Sequence, residues 1–391
     1  MMFNSSIKFP FFLIILVSVI FSSCEKNNYE LPDLRTKIDY AKLTATTPYK
    51  SLFINAKGDT TVDLTSGNNR YKQFQALNYY LGASVRDTKI LDATLMKNMY
   101  VNSGSPFTDI ASLNILGASL NASGVQLRNI TASSKSTTDA EATRTRLEAL
   151  YVDMANVSKS VSTTATKGVA GKLGTYLVDA KGIETAQIIQ KTLIGALQLD
   201  YICNILLVQG LDADNRTLVA GKNYSQLEHN WDEAYGILTL NPIYLMGSTD
   251  AVRGTTESLM GSYIWEFNKA SYAKIFPAFL KGRAAIVNND KAELKTQATF
   301  IRTEIEKAIA SAAVGYLAKW KTSTTDAARA HAIGEGLGFI YSLRYCTITS
   351  VDAKFSDDIL ENLTGSTNGF WDLTNDKINA ASDAITLKFK L

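Results

Sequence analysis

Both histidines of this 391-residue chain sit in the same local pattern. The first copy runs His229-Asn230-Trp231-Asp232-Glu233-Ala234-Tyr235-Gly236. The second, 102 residues later, runs His331-Ala332-Ile333-Gly334-Glu335-Gly336-Leu337-Gly338. Each reads His-x-x-x-Glu-x-x-Gly. An imidazole and a carboxylate four positions apart lie on one helix face, where they can pair with each other or present two donors to a ligand. At 3.6 residues per turn His331, Glu335, Gly338 and Ser342 form one stripe, with Ile333, Leu337 and Ile340 opposite. His229, Glu233 and Gly236 form the equivalent stripe, with Asp232 beside it. Buried carboxylates and imidazoles must find partners, because stranding them costs several kcal/mol. If the two stripes face each other, two His and two Glu converge. Two readings stand at this point: a metal such as iron, zinc or manganese or a small polar ligand held there, or His–carboxylate pairs that fix helix packing. Arg283, inside the apolar run Phe276–Ile286, and Arg344 invite similar alternatives. Each pairs with a carboxylate or an anionic ligand, or snorkels at a helix edge.

The elements that must position these groups read as helices. Ser225-x-x-Glu228 is a capping box and Asp290-x-x-Glu293 a close variant, opening helices at Gln226–Thr239 and Lys291–Trp320. Apolar periodicity places further helices at Tyr71–Gly82, Ala140–Ser160, Ile264–Val287, Asp326–Ile348 and Asp372–Lys388. Ile183–Leu211 is apolar almost all round but carries Lys191, Asp200 and Asn204, so it reads as a buried central helix rather than a membrane span. Gly/Ser/Thr/Asn-rich loops fall at Thr60–Asn69, Val101–Thr108, Ser133–Thr138, Ser162–Gly174 and Asn241–Gly254. Only a short strand pair near Ser51–Leu64 interrupts an otherwise all-α pattern. The repeated His/Glu motif predicts two pseudo-repeated helical half-bundles packed together.

Composition narrows the function classes. Forty basic residues balance 37 acidic ones, so there is no clustered basic footprint for nucleic acid. Three cysteines without CxxC, and the lack of HExxH or G-x-S-x-G, leave no standard zinc ribbon, zincin or serine-hydrolase motif. Cys203 and Cys346 lie in apolar helical patterns and read as two buried thiols, with a single disulfide as the alternative in an oxidising compartment. Residues 1–23 combine Lys8 with an apolar core, Phe11–Phe21, too short to span a bilayer. That segment ends in Phe21-Ser22-Ser23-Cys24, which resembles the lipobox of bacterial lipoproteins, with Phe21 where Leu is usual. Cys24 would then be lipidated, with residues 24–48 as a tether and 49–391 as the helical domain.

The run His229–Gly236 resembles the HxWDEAxG signature of a Bacteroidetes lipoprotein family described as domain of unknown function 4856. Ala278-Phe279-Leu280-Lys281-Gly282-Arg283-Ala284-Ala285 is similar to that family's AFxKGRAA segment, and His331–Leu343 to its second His/Glu helix. The resemblance spans roughly Tyr49–Leu391 and implies no particular activity. More distantly the chain is similar to imelysin-like proteins, secreted two-bundle helical proteins linked with iron uptake and once classed as metallopeptidases. Of their GxHxxE motif His229 matches the histidine, while Asp232 stands at the Glu position and Leu227 at the Gly.

The sequence therefore leads to a concrete expectation. This is a non-enzymatic lipoprotein of the cell envelope, at the outer membrane, held by a lipid on Cys24. Its ligand, a small molecule or a metal such as iron, would sit between two half-bundles against His229, Glu233, His331 and Glu335, with Asp232 and Arg283 in support. The alternatives are a metal-dependent hydrolase of imelysin or peptidase type, and a structural or adhesion component of a surface assembly.

Overall fold

Side-chain caps start most of the helices, as their sequences require. In the computed structural model, which describes residues 1–2, 33–44, 46–241 and 257–391, the Ser225 hydroxyl accepts from the Glu228 N–H while the Glu228 carboxylate accepts from the Ser225 N–H. The side chains of Asp290, Ser136, Thr325, Asp352 and Thr374 cap other helices by accepting from an N–H of the first turn. The described helices are α1 (Tyr49–Leu52), α2 (Thr65–Arg86), α3 (Ala93–Val101), α4 (Gly117–Asn121), α5 (Thr137–Ser158), α6 (Thr185–Leu193) and α7 (Gln226–Leu238). There follow α8 (Leu259–Phe267), α9 (Lys269–Val287), α10 (Lys291–Thr322), α11 (Asp326–Ser342), α12 (Ala353–Thr364) and α13 (Asn375–Phe389). The fold is all-α. Its one described sheet is a hairpin of β1 (Gly171–Leu173) and β2 (Tyr176–Val178), lying where a loop was expected and just beyond.

The long helix α10 is the axis of the packing, with α8, α9, α11 and α13 against it. α11 lies in turn on α6, which also packs on α5, and α7 lies on α2. The expected central helix Ile183–Leu211 is α6 running on into a π-helix, Ile194–Leu206, whose residues are largely buried. Its length and hydropathy would suffice for a membrane crossing, but most of it is covered by protein. In the π segment the Ala196 carbonyl accepts from the Ala132 N–H at 2.6 Å, an external partner that a regular helix does not offer. Buried Asp200 accepts from the Ser134 N–H and the Asn204 amide, both at 3.0 Å.

Several boundaries differ from the sequence reading for tertiary reasons. The helix expected over Ile264–Val287 breaks at Asn268, whose amide donates to the Glu304 carbonyl and carboxylate of α10. The helix expected to reach Ile348 stops at Ser342, whose hydroxyl donates to the Lys191 carbonyl at 2.7 Å. Helix α2 begins at Thr65, within the expected loop Thr60–Asn69. The strand pair expected near Ser51–Leu64 is reduced to a single bridge, Ile54 to Thr60. Residues Asp33–Pro48, expected within the tether, belong to the same compact unit as the rest, Asp33–Leu391. The Arg35 guanidinium reaches Glu228 at 2.9 Å, and the Asn288 amide donates to the Ile38 carbonyl. Cys24, nearly all of the signal segment 1–23 and most of the loop Asn241–Gly254 lie outside the described residues. Cys203 and Cys346 are free, fully buried thiols, and burial raises the pKa of both.

Glycine allows the closest helix contact. A Cβ on Gly67 of α2 would stand 2.7 Å from the Glu233 carbonyl oxygen and 2.9 Å from the Gly236 carbonyl carbon. Backbone cannot yield as a flexible side chain does, so Gly67→Ala is expected to cost about 1–3 kcal/mol despite alanine's better helix propensity. Urea unfolding of both proteins checks it; equal stability would mean that α2 and α7 separate without penalty.

Candidate functional site

On α7 the motif residues divide among three partners. Glu233 forms an ion pair with Arg70 of α2, and the guanidinium of Arg70 lies 5.7 Å from the Tyr201 ring. The His229 ring stacks on Tyr224 with centroids 4.8 Å apart, and its Nδ1 is buried without a hydrogen-bond partner. Asp232 turns the other way, toward Arg283 of α9. There Arg283, completely buried, contacts Asp232 at 3.0 Å and Glu228 at 2.8 Å and donates to the Thr61 hydroxyl at 3.1 Å. Tyr49 donates to the same Asp232 oxygen at 2.8 Å, and Arg35 adds a second cation to Glu228. Burial alone would raise the Glu228 carboxyl; Arg283, Arg35 and the Ser225 N–H outweigh it and hold it below the usual range. Burial wins at Asp232, whose second oxygen is unpartnered, and pushes its pKa up to about 7 against the pull of Arg283 and Tyr49.

On α11 the geometry is tighter. His331 Nδ1 lies 2.7 Å from Glu184 and Nε2 3.3 Å from Glu335, and the ring stacks on Tyr176 of the hairpin at 4.2 Å. Glu335 also meets buried Lys191 of α6 at 3.4 Å and accepts from the Tyr263 hydroxyl at 3.5 Å. Burial lowers the pKa of an imidazole, but the two carboxylates reverse this and raise His331 to about 9. Lys191, His331 and Tyr316 likewise overcome burial and draw Glu335 down to about 2. Lys191 is lowered by its burial. Gly338 lets α11 close on α6, since a Cβ there would be 2.4 Å from the Lys191 Cβ.

Both motif helices thus follow one plan: Glu meets a cation on a neighbouring helix, and His stacks on a tyrosine. Asp63 precedes Arg70, and Glu184 precedes Lys191, by the same seven residues. Asp63 is held below the usual carboxylate range: burial opposes, the Thr65 hydroxyl and N–H dominate, and His229 and Lys222 add to them. Sequence inspection missed Glu184, Lys191, Asp63, Arg70 and Glu228 as members of these clusters. The matched acid–base spacing was the signal that could have shown four of them. The convergence expected between the two stripes does not occur. α7 lies on α2 and α11 on α6, and no ion pair, hydrogen bond or ring contact joins the two sets among the described residues. The cause is glycine on each stripe, which draws in a separate helix.

This chemistry fits salt-bridged locks better than a metal centre. An imidazole with a carboxylate at each nitrogen is held as imidazolium, a double donor with no lone pair for a metal. Lys191 sits against Glu335, Arg70 against Glu233 and Arg283 against Oδ1 of Asp232, so each of these carboxylates already faces a cation. Among the described residues no group of three or more His, Cys, Asp or Glu side chains could hold a metal ion.

Open space lies elsewhere. A cleft of about 980 Å³ runs between α5, α6, α11 and α12. Its floor is apolar, formed by Val157, Ile188, Leu337 and Tyr341, each less than a tenth exposed. Its rims carry Asp153 on α5 and Asp357, Asp358 and Glu361 on α12, with Asp179 at the turn before α6. A second cavity of about 530 Å³ shares Arg146, Tyr341 and Asp357 with the first. The cleft is not read from the sequence, in which the segment that forms α12 is assigned to no element and its acids to no role.

With this architecture in view, the class is that of all-helical proteins braced by buried ion networks. The family described as Domain of unknown function (DUF4856) matches residues 49–391, and the chain belongs to that family. No curated protein and no solved structure matches it significantly.

Proposed function

We propose that this chain is a non-catalytic binding protein of the cell envelope, anchored by a lipid on Cys24 at the outer membrane. In this reading the His–Glu clusters are structural locks, and the ligand surface is the cleft between α5, α6, α11 and α12. The observation that carries it is the contrast between clusters whose carboxylates already face cations and an open cleft of about 980 Å³, at the upper end of the range of ligand sites. The Phe21-Ser22-Ser23-Cys24 sequence carries the anchoring, and the processed protein is expected in the membrane fraction. Methyl-labelled Ile and Leu resonances of the processed full chain would be followed while fractionated envelope extract is added. Shifts are expected at Ile188, Leu337 and Leu360. Shifts centred instead on Leu227 and Ile333, beside the histidines, would return the site to the clusters, and none at all would remove the binding role.

A further inference from the structure

The cleft's charge and shape define what it takes. Five carboxylates line it against two cations, Arg146 and Lys181. Asp357 is compensated by Arg344 at 2.6 Å, and Asp358 by Lys354 at 2.6 Å. Asp153 and Glu361, on opposite rims, are exposed and make no side-chain hydrogen bond or ion pair with the described residues. Asp179 accepts from the Ile183 N–H through Oδ1 at 2.9 Å and is helped by the Lys181 N–H and charge. Burial raises its pKa against the pull of the Ile183 and Lys181 N–H groups and the Lys181 charge, and the nearby Asp153 charge adds a smaller push upward. A cleft whose carboxylates face one another without enough cations favours a positively charged occupant. The apolar floor demands more than charge, since a bare cation would leave Ile188 and Leu337 uncovered. The adjoining cavity at Tyr341, whose ring has Arg146 at 4.7 Å and Arg344 at 3.7 Å, extends the groove past the reach of a small amine.

We infer that the cleft docks an extended segment of a partner protein in which lysine or arginine alternates with apolar side chains. The apolar residues of that segment cover Ile188, Leu337 and Tyr341, while its cations meet Asp153, Asp179 and Glu361. This inference rests on reading the cleft as the ligand surface and adds the class of partner.

The test is fluorescence anisotropy of the processed full chain with a short labelled peptide alternating lysine and leucine. A glutamate–leucine peptide and spermine serve as comparisons. The lysine peptide is expected to bind, and more weakly as salt shortens the range of the rim charges. Asp153→Asn/Glu361→Gln, both exposed positions, is expected to weaken it about tenfold with an unchanged melting temperature. Asp153→Lys/Glu361→Lys is expected to shift preference toward the glutamate peptide. Equal binding of both peptides, indifference to these substitutions, or binding of spermine without the peptide would overturn the inference. So would failure of every peptide; methyl shifts at Ile188 and Leu337 with envelope extract would then leave the cleft reading standing, and their absence would remove both.

Discussion

Replacing Arg283 with methionine is expected to lower the unfolding free energy by about 3–5 kcal/mol at neutral pH, the largest effect of any single substitution considered. The guanidinium is completely buried and, among the described residues, is the only cation in contact with Asp232, which is itself fully buried. Methionine fills similar space, so the loss reports charge rather than a cavity. Glu228 keeps Arg35, but Asp232 keeps only the Tyr49 hydroxyl. Its only relief is to take up a proton, and this sets the sign of the pH dependence. Burial already places the folded pKa of Asp232 at about 7, above its unfolded value. A carboxyl raised on folding costs stability as pH climbs above the unfolded pKa. Without Arg283 that cost grows, so the deficit should be larger at pH 8 than at pH 5. Adding Asp232→Asn should recover most of the loss, since an amide carries no charge to strand. Urea unfolding of the single and double variants decides the matter. If both are equally destabilised at every pH, lost packing rather than an unpaired carboxylate is the cause.

The second large effect belongs to His331. Its pKa rises from the ordinary value of 6.5 to about 9 on folding, because the Glu184 and Glu335 carboxylates outweigh burial. A raised folded-state pKa contributes stability that is complete below pH 6.5 and is lost as pH rises through about 9. With the side chain 28% exposed, solvent discounts the contribution to about 2 kcal/mol. His331→Gln should therefore be less stable than the native protein at pH 6 by about that amount, and the gap should close above the folded pKa. Glu335 behaves oppositely: its pKa falls from 4.5 to about 2, so its contribution is present above pH 4.5 and disappears as pH falls toward 2. The check is the difference in urea stability between the two proteins across the alkaline range, with the imidazole proton followed by NMR. A gap independent of pH would assign His331 a packing role alone.

Much of the fold was legible from local chemistry. Ser225 and Asp290 announced their helices because capping is decided within four residues, and α7 and α10 start where those caps place them. The all-α class followed from periodicity, which is also a local property. The length of α2 and the break at Asn268 were not legible, since each is decided by a distant element: the α7 backbone over Gly67, and Glu304 beside Asn268. Of the short helices that were not assigned, α4 spans little more than one turn, too few residues to show a period, whereas α12 carries apolar residues at Phe355, Ile359 and Leu363 that could have revealed it.

The site divides along the same line. The sequence alone determined that His229, Glu233, His331 and Glu335 lie on helix faces and need polar partners, because the period of 3.6 and the cost of burying charge apply in any fold. It also marked Arg283 and Asp232 as residues of one system, though without pairing them. Only the tertiary structure decided what those partners are. Helix periodicity holds within one helix and is silent about which helix a glycine-bearing face will meet. Gly67 admitted α7 to α2, and Gly338 admitted α11 to α6. With those contacts came Arg70 and Lys191 as counter-charges, so the two stripes stayed apart and the open cleft fell between α5 and α12.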